Sequence, residues 1–117
     1  MRARLARGDD GAVTVEVAIG IASIVTVVLL CVGAIAAASA QVRCIDAARE
    51  AARLAARGDR TVAVDVAGRV APPDADITLR EDGEFVTATV RAGVPLLPLV
   101  VLSAEAVAVR EPEAADE

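Results

Sequence analysis

The chain has 117 residues, 12 basic and 17 acidic, with a net charge of −5; 56% of it is hydrophobic, yet it holds one Phe, no Tyr, no Trp and no His. The missing His removes a Ser-His-Asp triad and any His-ligated zinc site, and the acidic balance with so few aromatics argues against nucleic-acid binding. A length of this order allows one domain, and an apolar mass made mostly of Ala and Val is poor material for a large soluble core.

In chain order, the first feature is a basic start, with Arg2, Arg4 and Arg7. From Val17 to Val42 follow 26 uncharged residues, twelve of them Val, Ile or Leu. As a helix this run covers about 39 Å, against about 30 Å of bilayer hydrocarbon. It reads as a membrane span in the cytoplasmic (inner) membrane, with the N-terminus cytoplasmic on the strength of the early Arg cluster. The Arg residues at 43, 49, 53 and 57 weigh against that orientation. Two other readings stay open: a buried helix of a soluble protein, and a secretory signal peptide cut after Ala38-Ser39-Ala40, so that the product starts at Gln41.

The two cysteines, Cys31 and Cys44, lie 13 residues apart. On one helix that is about 20 Å, too far for a disulfide within the chain. Cys31 reads as a small apolar side chain in lipid. Cys44 falls at the outer membrane edge, as a free thiol or one pairing with a neighbouring subunit.

Gly11-Ala12-Val13-Thr14-Val15-Glu16 opens the apolar run behind a short basic leader. Here the sequence resembles a type IV prepilin. The resemblance implies cleavage after Gly11 by a prepilin peptidase, a new N-terminus at Ala12, and Glu16 as the fifth residue of the mature chain. A carboxylate at the edge of hydrocarbon is costly unless paired. In a filament, Glu16 of one subunit can neutralise the new amine of its neighbour and so set the register of assembly. Loss of residues 1–11 leaves nine Arg against fifteen acids.

Residues 41–58 are rich in helix formers and are expected to continue the helix outward as an exposed stalk ending at Gly58. Asp46–Arg49 and Glu50–Arg53 are i,i+3 pairs. The Ala-Ala-Arg-Glu-Ala-Ala-Arg run behind a prepilin helix resembles the TadE-type minor pilins of tight-adherence (Flp) pili, with an Arg-only, Ala-rich style similar to actinobacterial members. Many of these carry Pro six residues after the Glu; this chain has Ala22, so no kink is expected there.

Asp59 is placed to cap a second helix over residues 60–70, although Val62, Val64 and Val66 also alternate as a strand would. Pro72-Pro73 ends it. Asp82-Gly83 reads as a two-residue hairpin turn between strands 76–81 and 84–91, with Glu81 facing Glu84, Leu79 facing Val86 and Ile77 facing Ala88. Val94 to Leu102, with two prolines, reads as an apolar connection that needs cover from the sheet, the membrane surface or a partner subunit. A third strand runs from Ser103 to Arg110, and the acidic tail 111–117 reads as disordered.

The expected fold is therefore α+β: a long transmembrane and stalk helix over 12–58, then a head over 59–110 with a short helix and a three-stranded antiparallel sheet. The expected function is a minor pilin, with an uncleaved single-pass anchor or a small secreted protein as alternatives. Its expected partners are membrane lipid, other pilin subunits, the assembly machinery and the prepilin peptidase. No nucleophile–base pair, cofactor site or metal site is legible, so no enzyme activity and no small-molecule substrate are expected. The acids around Asp74, Asp76, Glu81, Asp82 and Glu84 lack calcium-loop spacing, and read as a solvated face.

Overall fold

The computed structural model describes residues 2–112, with side chains from Gly8 onward. The basic side chains of Arg2, Arg4 and Arg7 and residues 113–117 of the acidic tail lie outside the described ones. The order of elements is α1 (Arg2–Ala56), α2 (Arg60–Val70), β1 (Asp76–Asp82), β2 (Phe85–Val94) and β3 (Leu97–Val109). The chain divides into two compact units, Met1–Ala34 and Ile35–Glu117.

The first unit is helix alone. Its large apolar side chains point outward all round: Val13, Val17, Ile21, Ile24, Val28 and Leu30 are all at least half exposed. Its hydroxyls are satisfied within the helix. Thr14 Oγ1 donates to the Asp10 carbonyl (2.8 Å), Ser23 Oγ to that of Ile19 (2.8 Å) and Thr26 Oγ1 to that of Ala22 (2.7 Å). Such back-bonding lets a polar side chain sit in an apolar surrounding at little cost. By length and composition α1 is apolar enough to cross a membrane, with a mean hydropathy of 2.7 in its best window. The helix passes through Gly11 and Ala22 without a break.

The second unit has two layers. One is the three-stranded antiparallel sheet in the order β1-β2-β3; the other is α2 and the Ile35–Ala56 part of α1. Cys44, Ala47, Ala48, Ala51, Ala52 and Ala55 are buried. Their spacing of three and four residues draws one stripe down the helix. The stalk that the sequence suggested would be exposed thus has one face covered by the sheet, while Asp46, Arg49 and Arg53 stay in solvent. Of the two expected intrahelical ion pairs, Glu50–Arg53 forms at 3.3 Å. Every second residue of β2 (Val86, Ala88, Val90, Ala92, Val94) faces the helices and is buried. The core is closed by small side chains: the largest fully buried ones are Val86, Val90 and Cys44.

Turn chemistry explains the boundaries. Gly58 has φ +96°. Its N–H donates to the Ala55 carbonyl at 3.0 Å and that of Asp59 to the Leu54 carbonyl at 3.2 Å. These are the two bonds of a Schellman cap. Residues 60–70 are helix, not strand. Asp59 stands at the N-cap but makes no side-chain cap bond; its carbonyl instead accepts the Ala63 N–H at 2.8 Å. Val62, Val66 and Val70 are helically spaced, but Val62 is exposed and Val66 and Val70 are half-buried; Ala63 and Ala67 make the buried contact.

The hairpin register differs from the expected one by two residues. Asp82 pairs with Phe85, Glu81 with Val86, Leu79 with Ala88 and Ile77 with Val90. The turn residues are therefore Gly83 and Glu84, and of the two only Gly83 has positive φ, at +61°. This is a II′ pattern, with Gly at the first central position, so no Asp has to enter the left-handed region. It also separates Glu81 from Glu84. A shift of two preserves the faces, so the expected apolar side of the hairpin is the buried one.

The segment expected as a connection between strands is mostly strand. β2 runs to Val94, Pro95-Leu96 make the turn, and β3 begins at Leu97. Gly93 pairs with Val101 and Val94 with Leu97. Pro98, Leu99 and Val100 are left without a partner on β2. Proline is tolerated here because β3 is an edge strand and the residue lies in a bulge.

Candidate functional site

Gly11, Ala12 and Glu16 all lie on α1 in the first unit and all are exposed. Ala12 and Glu16 are one helical turn apart and share a face. With Val15 and Ile19 they line a shallow, open depression on the helix surface. Among the described residues, no cation pairs with the Glu16 carboxylate. A charge in that position, at the mouth of an apolar run, is available to a group supplied from outside the chain. The Gly11–Ala12 bond lies within α1, so reaching this peptide requires unwinding the turn. Gly8 and Gly11 lower the cost of doing so.

Cys44 is buried between α1 and the sheet, and its thiol is free. Burial pushes the thiol's pKa up, partly offset by the adjacent Arg43 guanidinium. Pairing of this thiol with a neighbouring subunit would require the head to open. Cys31 is free and exposed, on the apolar surface of α1.

Sequence reasoning overlooked several residues that build the second unit. In the sequence Arg43 reads only as a charge that bears on membrane topology. Its Nε donates to the Val70 carbonyl at 3.2 Å and its Nη2 to that of Ala71 at 3.3 Å, so it caps the C-terminal end of α2. Gln41 Nε2 donates to the Ser103 carbonyl at 3.2 Å. At the far end of the sheet, Glu81 Oε1 receives Arg110 Nη2 at 2.8 Å and Arg60 Nη1 at 3.6 Å, while Arg57 Nε stands 3.6 Å from Glu111 Oε1. Of the acids near the turn, Glu81 thus meets two arginines of the same unit. Arg110 also donates its N–H to the Glu84 carbonyl at 2.6 Å. The partners of these groups are remote in sequence, which is why no local signal revealed them.

No family model matches the chain, and no solved structure matches it. The protein named apoptosis inhibitor Rv3655c, from Mycobacterium tuberculosis (strain ATCC 25618 / H37Rv), is 55% identical to it over 97 residues, covering 83% of this chain and 78% of that protein. On that identity and coverage, the long apolar helix followed by a small α+β head is the chain of a member of the Rv3655c family.

Proposed function

We propose that the protein is a pilin-like structural subunit, a TadE-like minor pilin of a tight-adherence pilus. In this reading Val17–Val42 holds it in the inner membrane, a prepilin peptidase cuts after Gly11, and Glu16 pairs with the freed amine of a neighbouring subunit. The observation that carries the proposal is the Gly11–Glu16 junction: an exposed glycine and, five residues on, a carboxylate that no cation pairs with among the described residues, at the head of a helix apolar on every side. Neutralising that carboxylate as it enters an apolar filament core favours one axial register over others. The head lies on the extracytoplasmic side, and the protein carries no catalytic role.

A second reading is favoured by the name of the 55% identical relative. An apoptosis inhibitor acts on a cell that can undergo apoptosis, and a head released by cleavage before Gln41 is a form that can leave the membrane. One experiment separates the two, together with the uncleaved anchor: intact mass and N-terminal sequencing of the protein recovered from its native membrane and from the medium. A start at Ala12 supports the pilin. A start at Met1 supports the anchor, and a start at Gln41 in the medium supports the released form; either result overturns the pilin.

A further inference from the structure

The tip of the β2–β3 hairpin is the most apolar exposed surface of the second unit. Residues 92–104 carry no charge. Leu96, Leu97, Leu99, Val100 and Val101 are all exposed, Leu99 at 98%. A cluster of this kind marks a surface that something else covers.

Two anchors fix the level of the tip along α1. The Gln41 side chain meets the Ser103 carbonyl, and the Glu111 N–H donates to the Ala56 carbonyl at 3.1 Å. Strand β3 therefore runs in the same direction as α1. The stretch from Ser103 to Glu111 covers about 26 Å as strand, and that from Gln41 to Ala56 about 22 Å as helix, so the two keep pace. Followed backwards from Ser103, the strand descends toward the apolar end of the helix. Arg91 faces Ser103 across the ladder, and Val94 lies about 10 Å further down β2. That is the height of about seven helix residues, which sets the tip beside Ile35–Gln41. On this stretch Ala36, Ala37 and Ala40 are half-buried and Ile35 is exposed.

We propose that the hairpin tip inserts into the outer leaflet of the bilayer that α1 spans, so that helix and hairpin anchor the protein together. This rests on the reading of Val17–Val42 as a membrane span. Continuity selects lipid as the occupant: the tip sits at the level of the last apolar residues of the helix and is itself apolar. The residues at the level above it are polar. Gln41, Ser103 and the exposed Arg91 form that rim, and Arg91 is the first charge above the tip, placed to reach lipid phosphates. Pro95 and Pro98 have no N–H to leave unpaired in lipid, in the turn and in the bulge, where the ladder lapses. A depth of about 10 Å suits the headgroup–acyl boundary, where irregular backbone is still hydrated, and falls short of a second span.

The test uses the full chain with Cys31→Ala and Cys44→Ala, reconstituted in phosphatidylcholine–phosphatidylglycerol vesicles. An environment-sensitive fluorophore is attached at Leu99→Cys, Leu96→Cys, Ile24→Cys or Asp82→Cys, one site at a time. Leu99 and Leu96 are exposed, so a label there leaves the core intact. The expected result is blue-shifted emission at 99, 96 and 24, with most of it lost to lipid carrying a spin label on the acyl chain, and aqueous emission at 82. Aqueous emission at 99 and 96 with quenching at 24 overturns the hairpin anchor and leaves the span standing. Emission at 99 that is shielded from water but insensitive to the spin label, and that varies with the protein-to-lipid ratio, assigns the tip to a neighbouring copy and overturns the proposal. Aqueous emission at 24 overturns the span and the hairpin anchor together.

Discussion

Arg43 of the first helix donates its Nε–H to the carbonyl oxygen of Val70, the last residue of the second helix, at 3.2 Å. The last carbonyls of a helix have no partner within it, and its C-terminal end favours a cation. One side chain thus ties α2 to α1 and satisfies two backbone oxygens. Arg43→Gln is expected to lower the stability of the head by about 1 kcal/mol, since one partner of the contact is solvent-exposed. Chemical unfolding of the purified protein in detergent, followed by circular dichroism, checks this; an unchanged midpoint counts against the capping role.

The sheet lies close to α1 because the facing stripe is alanine. Ala48 and Ala51 are completely buried, so a larger side chain there has to push the layers apart. Ala48→Leu and Ala51→Leu are each expected to cost about 1–3 kcal/mol, whereas Arg49→Ala, on the exposed side, should stay within about 0.5 kcal/mol of the native protein. Amide hydrogen exchange of β2 is the sensitive readout: protection at Val86 and Val90 should fall in the leucine variants and hold in Arg49→Ala.

Gly58 and Gly83 both occupy the left-handed region, at φ +96° and +61°. A Cβ at either meets no atom within 4 Å. The penalty of substitution is therefore conformational. Gly83→Ala and Gly58→Ala should each destabilise the head by about 1–2 kcal/mol. Asn tolerates this region better than Ala, so Gly58→Asn should recover part of the loss in the same unfolding assay.

Cys44 should resist alkylation in the folded protein and react once denaturant opens the head, which mass spectrometry after timed labelling reads directly. Its raised pKa has a signed consequence. The native state keeps the thiol proton at a pH where the unfolded chain has begun to lose it, so stability falls as pH rises through and above the ordinary thiol range. Cys44→Ala should remove that alkaline slope. A slope that survives the substitution would assign it to other groups.

In the proposed pilin role, Glu16→Ala should leave processing after Gly11 largely intact while impairing assembly, because in that role the carboxylate acts after cleavage, on a neighbour's amine. Electron microscopy of surface filaments, beside N-terminal sequencing of the variant, measures both steps. Filaments at the native level would sink the register role.

Most of the secondary structure was legible because its causes are local. The length and uniform apolarity of Val17–Val42 mark a helix, Gly58 marks its end, and a single Gly beside Asp82 marks a hairpin. Residues 60–70 form a helix despite β-branched Val62 and Val64, both of which are exposed. Other features were misread where the deciding partner is distant. The Ala repeat from Ala47 to Ala55 has helical spacing in plain view, but alanine is as common on exposed helices as in close interfaces. The hairpin turn lies one residue further on, and its register differs by two, because Asp-Gly suits two turn types, and the choice between them includes the gain when Glu81 reaches Arg60 and Arg110.

The sequence by itself thus determined an acidic, His-free chain with one long apolar helix, a small α+β head and a carboxylate, Glu16, at the mouth of the apolar run. These follow from composition, periodicity and turn chemistry, which act over a few residues. Only the tertiary structure decided that the stalk is half of the head's core, that Arg43 closes the second helix, that Cys44 is sealed in and that Gln41 meets the Ser103 carbonyl of β3. Each of these depends on which surfaces meet, and that is set by the summed packing of residues far apart in the chain.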